Sequence, residues 1–158
     1  MPESRTLQGF TPPIQLKLAM LWASVVFCYI YGDYFGLYVP GTLQSMLDGR
    51  MGPLGPTTQN VLLGTTVLMA IPSLMPIACL MLRPGWNRVA NLLFGLVYSV
   101  VMALTLAGAW RFYQLLGVVE ILLTLAVCWY AWKWPRVSQN SQDEPARSTP
   151  SPSLSSTS

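Results

Sequence analysis

The chain has 158 residues, of which 53% are hydrophobic and only 9% are charged, and its net charge is +3. Soluble domains carry roughly 25% charged residues, so this chain has too few to cover a globular surface, and we expect one domain in a lipid bilayer. The small net charge argues against a nucleic-acid partner. The sequence contains no histidine. Because histidine is the commonest metal ligand and the usual haem ligand, no metal and no cofactor is expected.

Four apolar runs are each long enough to cross a bilayer as a helix, which takes about 20 residues. They cover residues 16–39, 59–82, 87–109 and 112–134. Proline or glycine follows three of the runs, as is typical where helices end. Runs of this length without strict alternation are unlike strands. The predicted fold class is therefore all-α, a polytopic membrane protein built as a bundle of four transmembrane helices.

Three segments lie outside the predicted spans. Residues 1–15 are expected to form a cytoplasmic N-terminal segment. Residues 135–158 are rich in serine and proline and are expected to form a disordered cytoplasmic tail, because they bury too little apolar area to fold. The loop of residues 40–58 contains four glycines and three prolines. We interpret it as a solvated connector, with a lid over the bundle as the alternative.

Lysine and arginine predict the orientation of the spans, because basic residues favour the cytoplasmic side of a membrane. Six of them flank one side of the predicted bundle and two flank the other. An even number of spans puts both termini on one side, so we predict a multi-pass protein of the cell (plasma) membrane with both termini in the cytoplasm. Trp22 is assigned to the cytoplasmic interface. The six basic residues are Arg5, Lys17, Arg83, Arg88, Lys133 and Arg136, and the two are Arg50 and Arg111.

Two carboxylates, Asp33 and Glu120, lie inside the predicted spans. An acid in hydrocarbon is costly and usually faces a protein interior or a water-filled cavity. At 1.5 Å per residue, they lie about 9 Å and about 12 Å below the outer ends of their spans. Similar depths suggest a shared buried site, in which two carboxylates do not both ionise and a shared proton is plausible.

Helical spacing adds four neighbours to this candidate site, because residues three or four apart share a face of a helix. The alternative interpretation is structural: each acid bonds to a tyrosine or a backbone carbonyl and fixes how the helices pack. No catalytic residue is assigned. The neighbours are Tyr29, Tyr98, Tyr113 and Thr124.

Pro72 and Pro76 are one helical turn apart in the second span. Each proline removes a backbone donor and leaves an upstream carbonyl without its usual partner. They predict a kink in this helix, with a hinge or a set of exposed carbonyls as the functional alternative.

The sequence resembles an uncharacterised family of bacterial four-helix integral membrane proteins, domain of unknown function 6326. The resemblance covers about residues 16–134 and implies four helices but no reaction. Where the family pattern often has an acid before Ile71, this chain has Ala70, so no mechanism with a third buried carboxylate is expected. A looser likeness to DoxX-like proteins rests on architecture alone. The matching residues are Lys17, Leu18, Leu21, Trp22, residues 29–33, Gly64, Ile71, Pro72, Arg88, Ala90, Asn91, Glu120 and residues 129–132.

Three functions remain open from the sequence. The first is binding or moving a small solute, with proton coupling through the two carboxylates. The second is a structural or accessory subunit of a membrane complex, with a homo-oligomer or a membrane partner protein. The third is an enzyme acting on a lipid, which is disfavoured because histidine and clustered acids are missing.

Overall fold

A computed structural model describes residues 11–134, so the predicted tail lies outside the described residues, as does most of the predicted N-terminal segment. Within the described range, regular structure is helical apart from a single bridge between Arg50 and Pro56. Four of the helices are long and apolar enough to cross a membrane. The predicted all-α four-helix fold is thereby confirmed. The helices are α1 (Ile14–Gly36), α2 (Thr42–Leu47), α3 (Gln59–Met81), α4 (Pro84–Thr105) and α5 (Arg111–Trp132), with a 3-10 turn at Gly52–Leu54.

The first long helix, α1, ends at Gly36, and the chain continues beyond it in a tighter helical turn. The amides of Leu37 and Tyr38 bond to the carbonyls three residues earlier, which is the 3-10 pattern often found at the ends of α-helices. Gly41 follows with a φ of 85°, a conformation that favours glycine because it has no Cβ. The apolar run thus continues to residue 39, but its α-helical part does not.

The long helices form a bundle in which α1 packs against both α3 and α5, and α4 packs along α5. We call the end of the bundle at residues 82–84 and 132–134 the termini end, and the end at residues 37–58 and 106–110 the loop end. The central core draws on all four long helices. Its buried members are Leu18, Ala19, Trp22, Val25, Met75, Cys79, Tyr98 and Val127.

Helix α3 is more deeply buried toward the termini end than toward the loop end. All three buried residues of α3, Pro72, Met75 and Cys79, lie in the half nearer the termini end. The same face of α3 continues toward the loop end with Thr65 and Leu68, which are only half-buried. The packing of α3 on the bundle is therefore tighter toward the termini end.

The outer surface of the long helices is apolar. Large side chains such as Phe27, Leu74, Leu104 and Leu122 are exposed on α1, α3, α4 and α5 respectively. Contiguous apolar surface on this scale is not found on monomeric soluble proteins, whereas hydrocarbon solvates it without cost. These features are those of a multi-pass membrane protein.

Helix α3 runs through Pro72 and Pro76 without interruption, and the predicted kink stays a prediction. Since Pro72 has no amide hydrogen, the carbonyl of Leu68 lacks its usual helical donor. The Tyr98 hydroxyl of α4 donates to the Leu68 carbonyl instead. A side chain of the neighbouring helix thus replaces a missing backbone hydrogen bond of α3, and it joins the two helices there.

The connector between α1 and α3 is held by its own backbone. The amide of Met51 bonds to the carbonyl of Gly55, and that of Thr57 bonds to Gly49, each at 2.7 Å. None of residues 40–58 is buried. The Met51 sulfur also accepts a bond from Thr65 of α3, and the interpretation of this segment as a solvated connector stays a prediction.

Candidate functional site

Glu120 is the buried charge-bearing residue of the bundle. It lies on α5 and is only 2% exposed. Its Oε2 atom is fully enclosed and has no hydrogen-bond partner among residues 11–134. Buried polar side chains nearly always have a partner, and each exception requires an explanation. The free-energy cost of lacking a partner is larger for a carboxylate than for a neutral polar group, because the ionised form loses most of its solvation in an apolar interior.

Close packing of α4 on α5 fixes the position of Glu120. A Cβ added at Gly95 of α4 would lie 3.2 Å from the Thr124 carbonyl oxygen and 2.6 Å from the Cys128 sulfur. The Thr124 hydroxyl bonds to the Glu120 carbonyl at 2.9 Å and lies 2.7 Å from the Ser99 hydroxyl. These short contacts hold the backbone of α5 against α4 at the level of Glu120.

The three predicted tyrosines lie near the contact of α1, α4 and α5, and the hydroxyl group of one of them already has a hydrogen-bond partner. Tyr98 is buried, and its hydroxyl is occupied by the Leu68 carbonyl of α3. Tyr29 is half-buried, with its ring centroid 6.4 Å from that of Tyr98. Tyr113 is half-buried and packs beside Gly32 of α1. The structure thus brings Tyr29, Tyr98 and Tyr113 together at the α1–α4–α5 contact.

Asp33 and Glu120 were predicted to share a buried site. The Asp33 side chain is instead exposed, at the loop end of α1. Asp33 follows Tyr29 by one turn, next to the buried Gly32, which packs against α5. The two acids therefore lie on helices that pack against each other, α1 and α5, but in different surroundings: Asp33 is exposed and Glu120 is enclosed.

A second polar cluster, which the sequence did not reveal, lies at the termini end. The indole of Trp22 donates to the Asn91 side-chain oxygen at 2.7 Å, and the Asn91 amide donates to the Asn87 side-chain oxygen at 2.7 Å. The Asn87 amide in turn donates to the Cys79 carbonyl at 2.5 Å. Trp22 and Asn91 are both 0% exposed. The assignment of Trp22 to the membrane interface is therefore wrong, because its indole finds an acceptor inside the bundle.

This Trp22–Asn91 cluster ties α1, α3 and α4 together and closes the termini end with satisfied polar groups. A signal for it existed in the sequence, since Asn87 and Asn91 are one turn apart on α4. Their partners on α1 and α3 were not visible, because they are 69 and 12 residues away from Asn91 along the chain.

The arrangement has no cluster of three or more histidine, cysteine, aspartate or glutamate side chains within residues 11–134. What the geometry provides is one enclosed carboxyl group next to tyrosine rings, with a second carboxyl group at a more open position. Such a pair can hold a proton or pair with a positively charged group, because an enclosed carboxylate needs one or the other.

Comparison with known proteins gives one match. No curated protein and no solved structure is significantly similar to the chain. The family model described as a family of unknown function, DUF6326, matches residues 11–141. These residues include all four long helices and both acids, so the chain belongs to the DUF6326 family.

Proposed function

We propose that this membrane protein binds a small solute from the loop end and exchanges it for a proton held by Glu120. The observation that carries the proposal is the enclosed Oε2 atom of Glu120, which has no partner among residues 11–134. In an apolar interior the carboxyl group is stable as the neutral acid or when a positive charge lies beside it. A cationic solute that binds next to Glu120 would therefore displace one proton, and the net charge of the site would not change.

The packing of the bundle supports entry from the loop end. Asp33 is exposed there, and the half-buried Tyr29 lies one turn deeper on the same helix. A positively charged solute would first meet the Asp33 carboxylate and then the tyrosine rings, whose faces attract cations. The buried, hydrogen-bonded Trp22–Asn91 cluster fills the interior toward the termini end, which favours entry from the opposite end.

Labelling with dicyclohexylcarbodiimide tests the role of Glu120. This apolar reagent adds to protonated carboxyl groups, and the product rearranges to a stable N-acylurea that raises the protein mass by one reagent molecule. We expect a single modification at Glu120 in the wild-type protein and in Asp48→Asn, whose substituted acid lies in the connector. The Glu120→Gln variant is expected to remain unmodified. Equal labelling of the wild type and Glu120→Gln would refute the proposal that Glu120 holds the proton.

Proton release tests the exchange itself. Tetraphenylphosphonium serves as a cationic probe and is added to the purified protein in weakly buffered detergent containing a pH dye. The wild type is expected to release about one proton per bound cation, whereas Glu120→Gln releases none. The Asp33→Asn variant keeps the deep site but loses the entry charge, so we expect weaker binding with the same proton ratio. Cation binding without proton release in the wild type would contradict the exchange.

A further inference from the structure

A groove of about 350 Å³ runs along the outside of the bundle between α1 and α5. It is separate from the Glu120 region, because it lies in the half of α1 nearer the termini end. Four of its lining residues come from α1 and one from α5. They are Lys17, Met20, Leu21, Ser24 and Tyr130.

The groove runs from a charged end to an apolar end. Lys17 is in the first turn of α1, where a spanning helix meets the headgroup layer, and Ser24 is two turns deeper. Seven residues of helix span about 10.5 Å, which compares with about 15 Å for the hydrocarbon of one leaflet. The Ser24 hydroxyl bonds to the Met20 carbonyl at 3.0 Å. Since that donor is already used, the deep part of the groove offers no free donor, and Met20 and Leu21 make its surface largely apolar.

The charged end has an excess of cations. All three acids of the described residues, Asp33, Asp48 and Glu120, lie in the half of the protein nearer the loop end. The Lys17 ammonium instead lies 5.7 Å from the centroid of the Tyr130 ring. Cation–π contacts of this kind leave the ammonium hydrogens available to an anion, because the ring binds only one side of the charge.

We propose that this groove is a binding site for one anionic phospholipid. The phosphate accepts hydrogen bonds from the Lys17 ammonium and the Tyr130 hydroxyl, and one acyl chain lies along Met20 and Leu21 toward Ser24. Two observations select a lipid over a free phosphate ion: the groove is apolar beyond its charged end, and its length matches most of a leaflet. The site does not depend on Glu120.

Lipid retention measured by native mass spectrometry tests the site, with the full chain purified in mild detergent and incubated with phosphatidylglycerol. The wild type is expected to retain one lipid. Lys17→Gln removes the charge, and Ser24→Leu fills the deep end of the groove without changing any charge. Both variants are expected to lower the affinity for phosphatidylglycerol at least about tenfold, the loss expected for one charge-assisted hydrogen bond or for a blocked chain.

The matched control is Lys133→Gln. The Lys133 ammonium lies 4.1 Å from the centroid of the Trp129 ring at the same end of the bundle, and Lys133 is not among the residues that line the groove. This control is expected to retain the lipid, as is Lys17→Arg. Equal losses in Lys17→Gln and Lys133→Gln would overturn the proposal, since they would show general attraction to basic residues. Unchanged retention in Ser24→Leu, equal retention of phosphatidylcholine, or displacement of the lipid by millimolar inorganic phosphate would also overturn it.

Discussion

The hydrogen bond between the Tyr98 hydroxyl and the Leu68 carbonyl gives a sharp test of how α3 and α4 are joined. Tyr98→Phe removes only the hydroxyl, because the ring keeps its edge-to-face contact with Trp22, whose centroid is 6.0 Å away. The Leu68 carbonyl is then left without a donor, since Pro72 supplies no amide hydrogen. We expect Tyr98→Phe to destabilise the protein.

The magnitude follows from hydrogen bonds between membrane helices, which are worth about 0.6 kcal/mol on average and up to about 1.7 kcal/mol. A value near 1.5 kcal/mol is expected here, because Tyr98 is buried and its acceptor has no helical donor. In a Pro72→Ala background, the new amide can bond to Leu68, so the same substitution should cost less than about 0.5 kcal/mol. The expected coupling between the two positions is therefore about 1 kcal/mol.

Equilibrium unfolding in sodium dodecyl sulfate, followed by far-ultraviolet circular dichroism, measures all four proteins of this cycle. Tyr31→Phe provides the control, since Tyr31 is exposed on α1 and its hydroxyl should contribute little. Additive effects of Tyr98→Phe and Pro72→Ala would refute the argument that the tyrosine replaces the missing backbone donor. An effect of Tyr98→Phe no larger than that of Tyr31→Phe would refute it as well.

Two further substitutions probe the packing that positions Glu120 and closes the termini end. Gly95→Ala places a methyl group 3.2 Å from the Thr124 carbonyl oxygen, so we expect a loss of about 1–3 kcal/mol from overpacking. Gly64→Ala, with nothing within 4 Å of the added atom, should be near neutral in the same unfolding assay, and similar results for the two glycines would contradict the close α4–α5 contact. Asn91→Leu leaves the buried partners of its amide group unsatisfied and should cost about 1–3 kcal/mol. Asn60→Leu, at an exposed position, should cost little, and equal effects of the two asparagine substitutions would count against the Trp22–Asn91 cluster.

The four long helices follow from the amino-acid sequence alone, because each apolar run is long enough to cross a bilayer and hydrocarbon leaves a single chain few other ways to satisfy its backbone. The sequence also located both acids within those runs. Helical spacing grouped Thr124 with Glu120, because residues four apart share one face whatever the rest of the protein does. These are local properties, and they do not depend on which helices meet.

Which faces of the helices meet is set by the tertiary packing. It encloses Glu120 and exposes Asp33, although both lie within apolar runs, because α1 turns the neighbouring Gly32 and not Asp33 toward α5. It also moved Trp22 from the expected interface to the interior and paired it with Asn91, 69 residues away. Such pairings depend on the relative rotation of whole helices. The polar stripe of α4 marks its buried face, but α1, α3 and α5 are apolar on nearly every face, so their periodicity does not encode that rotation.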